Sequence, residues 1–124
     1  MSEADSTQAG TQSGQIVQVT VEKHGEAAVL AVSGDIDMVT APEFEKALMA
    51  ALRDRPERLV VDLSGVDFLG SAGLTALVAA HQEAGERTSL RVVAESNATA
   101  RPLQLTGLDQ EITVCRNRPE ALAD

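Results

Sequence analysis

The chain has 124 residues, the length of one domain rather than two. It has two Phe and no Tyr or Trp, so its core must be Val, Leu, Ile and Ala, and it cannot offer single-stranded nucleic acid an aromatic platform. Nineteen acids against ten basic residues give a net charge of -9, which excludes phosphate backbones and anionic membranes as partners and favours a basic or mixed protein surface.

Residues 1–14 are Ser, Thr, Gln, Gly and Ala with two acids and almost nothing to bury, and they are expected to be a disordered tail. The folded domain is expected over residues 15–124. Val17, Val19 and Val21 alternate with Gln18, Thr20 and Glu22, the period of a half-buried strand. A turn at His24-Gly25-Glu26 and a second apolar run from Ala28 to Val32 make a hairpin. Ser33 to Asp37 reads as a loop.

The first helix follows. Thr40 and Glu43 have the spacing of a capping box, with Pro42 in the first turn. Phe44, Ala47, Leu48, Ala51 and Leu52 share one face, and Pro56 ends the segment. Leu59 to Leu63 is a short apolar strand suited to the middle of a sheet. Ser64 to Gly70 reads as a loop with Val66, Phe68 and Leu69 turned inward.

A second helix is expected from Ser71 to Glu86, with Leu74, Leu77, Val78, His81 and Ala84 on its apolar stripe. Leu90 to Val93 is a strand. Asn97 to Thr106 reads as a third helix closed by Gly107, with Pro102 either kinking it or moving its start later. Ile112 to Val114 is a last strand, and Pro119 to Ala123 a terminal helical turn. The class is α/β: a mixed, largely parallel sheet of about five strands with three to four helices.

Catalytic signals are poor. Gly70-Ser71-Ala72-Gly73 lacks the first glycine of a nucleophile elbow, because position 69 is Leu. His24 falls in a turn and His81 on an apolar stripe, so neither is placed as a base. No nucleotide-binding glycine pattern is present, and Asp35 with Asp37 lacks a third metal ligand. No enzyme activity, cofactor or metal is expected. One cysteine, Cys115, excludes an intrachain disulfide, and with no apolar leader the expected compartment is the cytoplasm.

Ser71 carries the most information. Read from the residues alone, it is a serine satisfying a helix start. Gly70, Ala72 and Gly73 around it are small, so the hydroxyl is sterically open. A phosphate there would sit at the positive end of the helix dipole, so the fold would tolerate it while a partner surface would not.

The stretch from Val60 to Leu74, VVDLSGVDFLGSAGL, resembles the signature of STAS domains, in particular the bacterial anti-sigma factor antagonists. Gly34 to Thr40, GDIDMVT, resembles the family's G-[ED]-[LI]-D-x-x-T loop. Arg101 to Leu108 is similar to the family's last helix with its Gly-Leu ending. The actinobacterial sporulation and stress-response antagonists look most similar.

The resemblance implies a non-enzyme that binds an anti-sigma factor serine kinase and frees a sigma factor. It implies that the kinase phosphorylates Ser71 and that a serine phosphatase resets it. It places Asp35, Asp37, Thr40, Gly70, Ser71, Ala72, Gly73 and Leu74 on the partner surface, in a monomer or weak dimer. Two positions depart from the pattern: Gly70 replaces a frequent Asp, and Ala72 a frequent Ser or Thr. The alternative is a STAS subunit of a lipid-transport or signalling complex without a phospho-switch.

Overall fold

The computed structural model describes residues 17–123, so the tail assigned to residues 1–14 lies outside the described residues. The elements are β1 (Val17–His24), β2 (Ala27–Ile36), α1 (Ala41–Arg53), β3 (Arg58–Leu69), α2 (Ser71–Ala84), β4 (Ser89–Val93), α3 (Asn97–Leu105), β5 (Thr113–Cys115) and α4 (Arg118–Leu122). A 3-10 turn, Leu108–Gln110, joins α3 to β5.

The five strands form one sheet in the order β1-β2-β3-β4-β5. β1 and β2 pair antiparallel from Val17 opposite Gly34 to His24 opposite Ala27. Their turn uses Gly25 at φ 63°, a left-handed angle that lets a two-residue turn follow the strand twist. The remaining pairs are parallel, as crossover helices require. The expected mixed α/β sheet is thus observed, with four helices.

Alternation along the strands builds two unequal cores. Leu30 and Val32 of β2 and Leu59, Val61 and Leu63 of β3 face Phe44 and Leu48 of α1, Leu77 of α2 and Leu103 of α3. Val29, Val60, Val93 and Cys115 point to the opposite face, where Ala121 of α4 closes over them. Three helices therefore cover one face, and the short α4 covers part of the other.

Both expected loops beside the helices turn out to be strand. β2 runs on to Ile36 and β3 to Leu69, because Ser33 through Ile36 pair with Gly65 through Leu69. The pairing slips between Ala31 and Ser33 and again between Gly34 and Asp35, and at each slip β3 carries one more residue than β2. These bulges shift the inward period from two to three, so Leu63, Val66 and Leu69 are buried. Phe68, expected inside, is turned out and stands 52% exposed.

Helix ends also differ in detail. The Thr40/Glu43 capping box does not form: α1 has no side-chain cap bond, and the Thr40 hydroxyl is engaged upstream. α2 ends at Gly85, which takes φ 56°. α3 starts at Asn97 with Pro102 inside it, so its later start is not used. Among the described residues no helix is long and apolar enough to cross a membrane.

Candidate functional site

Two chain segments meet at the carboxyl ends of β2 and β3. The backbone N–H of Gly70 donates to the Ile36 carbonyl at 2.9 Å, tying the β3–α2 junction to the β2–α1 loop. Gly70, extended at φ -89° and ψ 178°, occupies the cap position of α2. Its carbonyl accepts from Gly73 and Leu74 at 3.0 and 3.1 Å. Ser71 is therefore the first helical residue, not the cap, which corrects the reading of it as a helix-capping serine.

Ser71 is exposed. Its carbonyl accepts from the Thr75 hydroxyl at 3.0 Å, while among the described residues its own hydroxyl has no hydrogen-bond partner. The first backbone N–H groups of a helix lack intrahelical acceptors and point past this position. Any group added to the Ser71 oxygen meets the positive end of a 14-residue helix.

The neighbours set how close the junction packs. A Cβ on Gly73 would stand 2.6 Å from Ile36 Cγ2 and 2.7 Å from Leu69 Cδ1, so any side chain there would force these two neighbours to shift. A Cβ on Gly70 would come within 3.0 Å of the Phe68 ring. Of the residues expected on the partner surface, Ser71 is exposed, Gly70 and Ala72 are half-buried, and Gly73 and Leu74 are buried. The last two shape the surface from beneath rather than form it.

The β2–α1 loop is held by Asp37 and Thr40. One Asp37 carboxylate oxygen accepts from the Val39 and Thr40 N–H groups at 2.9 and 3.0 Å. The Thr40 hydroxyl donates to the Asp35 carbonyl at 2.7 Å and accepts from the Asp37 N–H at 2.9 Å. Thr40 is buried, so these bonds are shielded from water. The Thr40 N–H bond above all holds the Asp37 carboxyl below its ordinary pKa.

Asp35 enters this network only through its carbonyl, and its exposed side chain points to solvent. Among the described residues no group of three His, Cys, Asp or Glu is placed to hold a metal ion. His24 bonds Glu22 at 3.3 Å in the hairpin, away from Ser71. His81 lies ten residues along α2 from Ser71, about 15 Å at the helical rise, so the two form no nucleophile–base pair.

Three exposed apolar side chains on these segments were not read from the sequence as surface features: Met38, Val39 and Phe68. For Met38 and Val39 a signal existed, an apolar pair set between Asp37 and Thr40 in a loop.

The far face of the sheet carries a separate polar cluster. Asp62 is buried and accepts from the Ser64 hydroxyl and N–H at 2.6 and 3.0 Å. Its other oxygen accepts from Arg118 Nε on α4. Arg58 donates to the Leu122 carbonyl at 2.7 Å, and Arg91 to those of Ala121 and Ala123 at 3.0 and 2.8 Å. Three arginines thus pin α4, two of them at its carbonyl end, where cations are favoured.

Residues 18–121 match the model of the STAS domain family. The chain is 41% identical over 106 residues to the anti-sigma-F factor antagonist RsfB of Mycobacterium tuberculosis, covering 86% of this chain and 87% of that protein. It is 28% identical over 123 residues to RsfA of the same organism, also an anti-sigma-F factor antagonist, covering 94% and 96%. The crystal structure of an anti-sigma factor antagonist from Mycobacterium paratuberculosis superposes with a TM-score of 0.84 at 45% identity, covering 87% of this chain and 92% of that one.

Proposed function

The chain belongs to the STAS domain family, and we propose that it is an anti-sigma factor antagonist switched off by phosphorylation of Ser71. It binds an anti-sigma factor that is also a serine kinase and so frees a sigma factor. The kinase brings the ATP, a serine phosphatase resets the protein, and the antagonist itself performs no chemistry. The names of its relatives in mycobacteria support the class of activity.

The observation that carries the switch is the exposed hydroxyl of Ser71 at the start of α2, without a hydrogen-bond partner among the described residues. A phosphoryl group adds about two negative charges and three acceptor oxygens. At this position the free N–H groups of α2 and its dipole accommodate them, so the fold survives. A partner closing over the same spot must bury or repel the new charge, so binding is lost. Asp35 and Asp37 supply the second wall of the contact surface, on a loop that the buried Thr40 locks from beneath and the Gly70–Ile36 bond ties to the Ser71 junction.

The test mixes the protein with each kinase-type anti-sigma factor of its host, with and without ATP. Wild type and Ser71→Ala bind alike without ATP. Adding ATP releases only the wild type, and Ser71→Glu binds about tenfold or more weakly. A Ser71→Glu variant as tight as wild type would sink the switch.

A further inference from the structure

Five large apolar side chains among the described residues stand exposed: Val21, Met38, Val39, Phe68 and Leu105. Three of the five lie on the two segments that frame Ser71. Met38 is 82% exposed, Val39 68% and Phe68 52%. Phe68 is one of only two aromatic residues in the chain, and the other, Phe44, is fully buried.

The backbone that carries these side chains is held, not loose. Met38 and Val39 sit on the turn that the Asp37 carboxylate and the Thr40 hydroxyl lock. Phe68 is placed opposite Asp35 by strand pairing and stands outside the core. A segment whose backbone is fixed in this way loses little further backbone freedom when it is covered.

The charge on the segments that carry them has one sign. Residues 33–42 and 64–75, which build this end of the sheet, contain Asp35, Asp37 and Asp67 and no Lys or Arg. Asp35 and Asp67 are exposed. The two segments joined at this end of the sheet therefore expose apolar side chains together with acidic ones and no basic one, a composition suited to a protein-binding patch.

We propose that Met38, Val39 and Phe68 are the apolar anchors of this surface, and that they enter an apolar cleft rimmed by Lys and Arg on the anti-sigma factor. The assignment rests on the function proposed above. It adds that binding energy comes from these three side chains, while Ser71, on the junction tied to the Met38–Val39 loop through the Gly70–Ile36 bond, acts as the gate. A phosphate on Ser71 would place its charge beside side chains that bind only when dry. The acidic side chains steer the encounter with the basic rim of the partner.

The experiment measures affinity by calorimetry for each kinase-type anti-sigma factor of the host, without nucleotide. The proteins are wild type, Phe68→Ser, the double variant Met38→Ser/Val39→Ser, and Leu105→Ser as an exposed apolar control on α3. The expected result is about tenfold or greater weakening for Phe68→Ser and for the double variant, with the control unchanged. All four side chains are exposed, and thermal melting confirms that each variant is folded. The double variant keeps the question open to test if replacing Phe68 disturbs Gly70. If wild type binds and all variants bind equally, the anchors are wrong and the proposed function stands. If Leu105→Ser weakens binding as much as Phe68→Ser, the anchors are also wrong. If wild type binds none of these partners, the proposed function falls, and the anchors with it.

Discussion

Gly73 and Ile36 are packed so closely that a methyl group on Gly73 would stand 2.6 Å from the Ile36 Cγ2 atom. This contact seats the first turn of α2, and hence Ser71, against the end of β2. Gly73→Ala gains about 1 kcal/mol of helix propensity. It loses about 1–3 kcal/mol to overpacking, since Leu69 also blocks the space at 2.7 Å. The expected net effect is a loss of about 1 kcal/mol, with a melting point lower by several degrees. A variant that melts above wild type would show that the helix can slide away from β2 at no cost.

Asp62 has a carboxyl held below its ordinary pKa. Burial acts to raise it, and the Ser64 hydroxyl, Arg118 and the Ser64 N–H together outweigh that burial. A folded pKa below the unfolded one contributes stability that is present above the unfolded value, about 3.9, and is lost as pH falls through the folded value. Asp37 acts in the same direction. Asp62→Asn is therefore less stable than wild type at neutral pH. Its stability also falls less steeply below about pH 4. Urea unfolding from pH 2.5 to 7 measures both, and parallel profiles would remove Asp62 as a contributor.

Much of this architecture is written locally. The spacing of Phe44, Leu48 and Leu52 marks α1, and the small residues from Gly70 to Gly73 mark a tight junction at the start of α2. What stays hidden depends on partners distant in sequence. The bulges arise only when β3 pairs with β2, so Ser64 to Gly70 reads as a loop with Phe68 inward, whereas the paired strand buries Val66 and Leu69 and leaves Phe68 outside. Thr40 has the sequence of a helix cap, yet its hydroxyl is drawn to the Asp35 carbonyl by the way β2 enters the turn. The Asp62–Arg118 bond joins residues 56 positions apart, and nothing near either residue announces it.

Cys115 lies buried under α4 beside Ala121. Burial, and then Glu120, push its thiol pKa up, against the pull of Arg91, so in the folded protein it is a poor nucleophile. Thiol labelling therefore reports the lifting of α4. Arg91→Ala removes two hydrogen bonds to the end of that helix and is expected to speed labelling about tenfold. An unchanged rate would mean that the apolar contact of Ala121 alone holds α4 down.

Leu77 is fully buried in the main core, among α1, α2 and the sheet. Leu77→Asp sets an unpaired carboxylate there, a change of about 4 kcal/mol or more. Loss of the cooperative thermal transition is expected. Leu74→Asp, one turn nearer Ser71, is expected to do the same. Wild-type melting of either variant would mean that α2 presents a different face to the sheet.

The strand order β1-β2-β3-β4-β5 is also the order of synthesis. Each new strand adds to the open edge left by the one before, and none has to be threaded between two already paired. Such a sheet can assemble outward from its hairpin, each step closing a short stretch of chain. Its seam is then unevenly fastened: β3, with 12 residues, is held on both sides, while β5 has three residues and a single neighbour. In hydrogen exchange β5 should open first and the amides of β2 and β3 last, a gradient running across the sheet from its last strand to its middle.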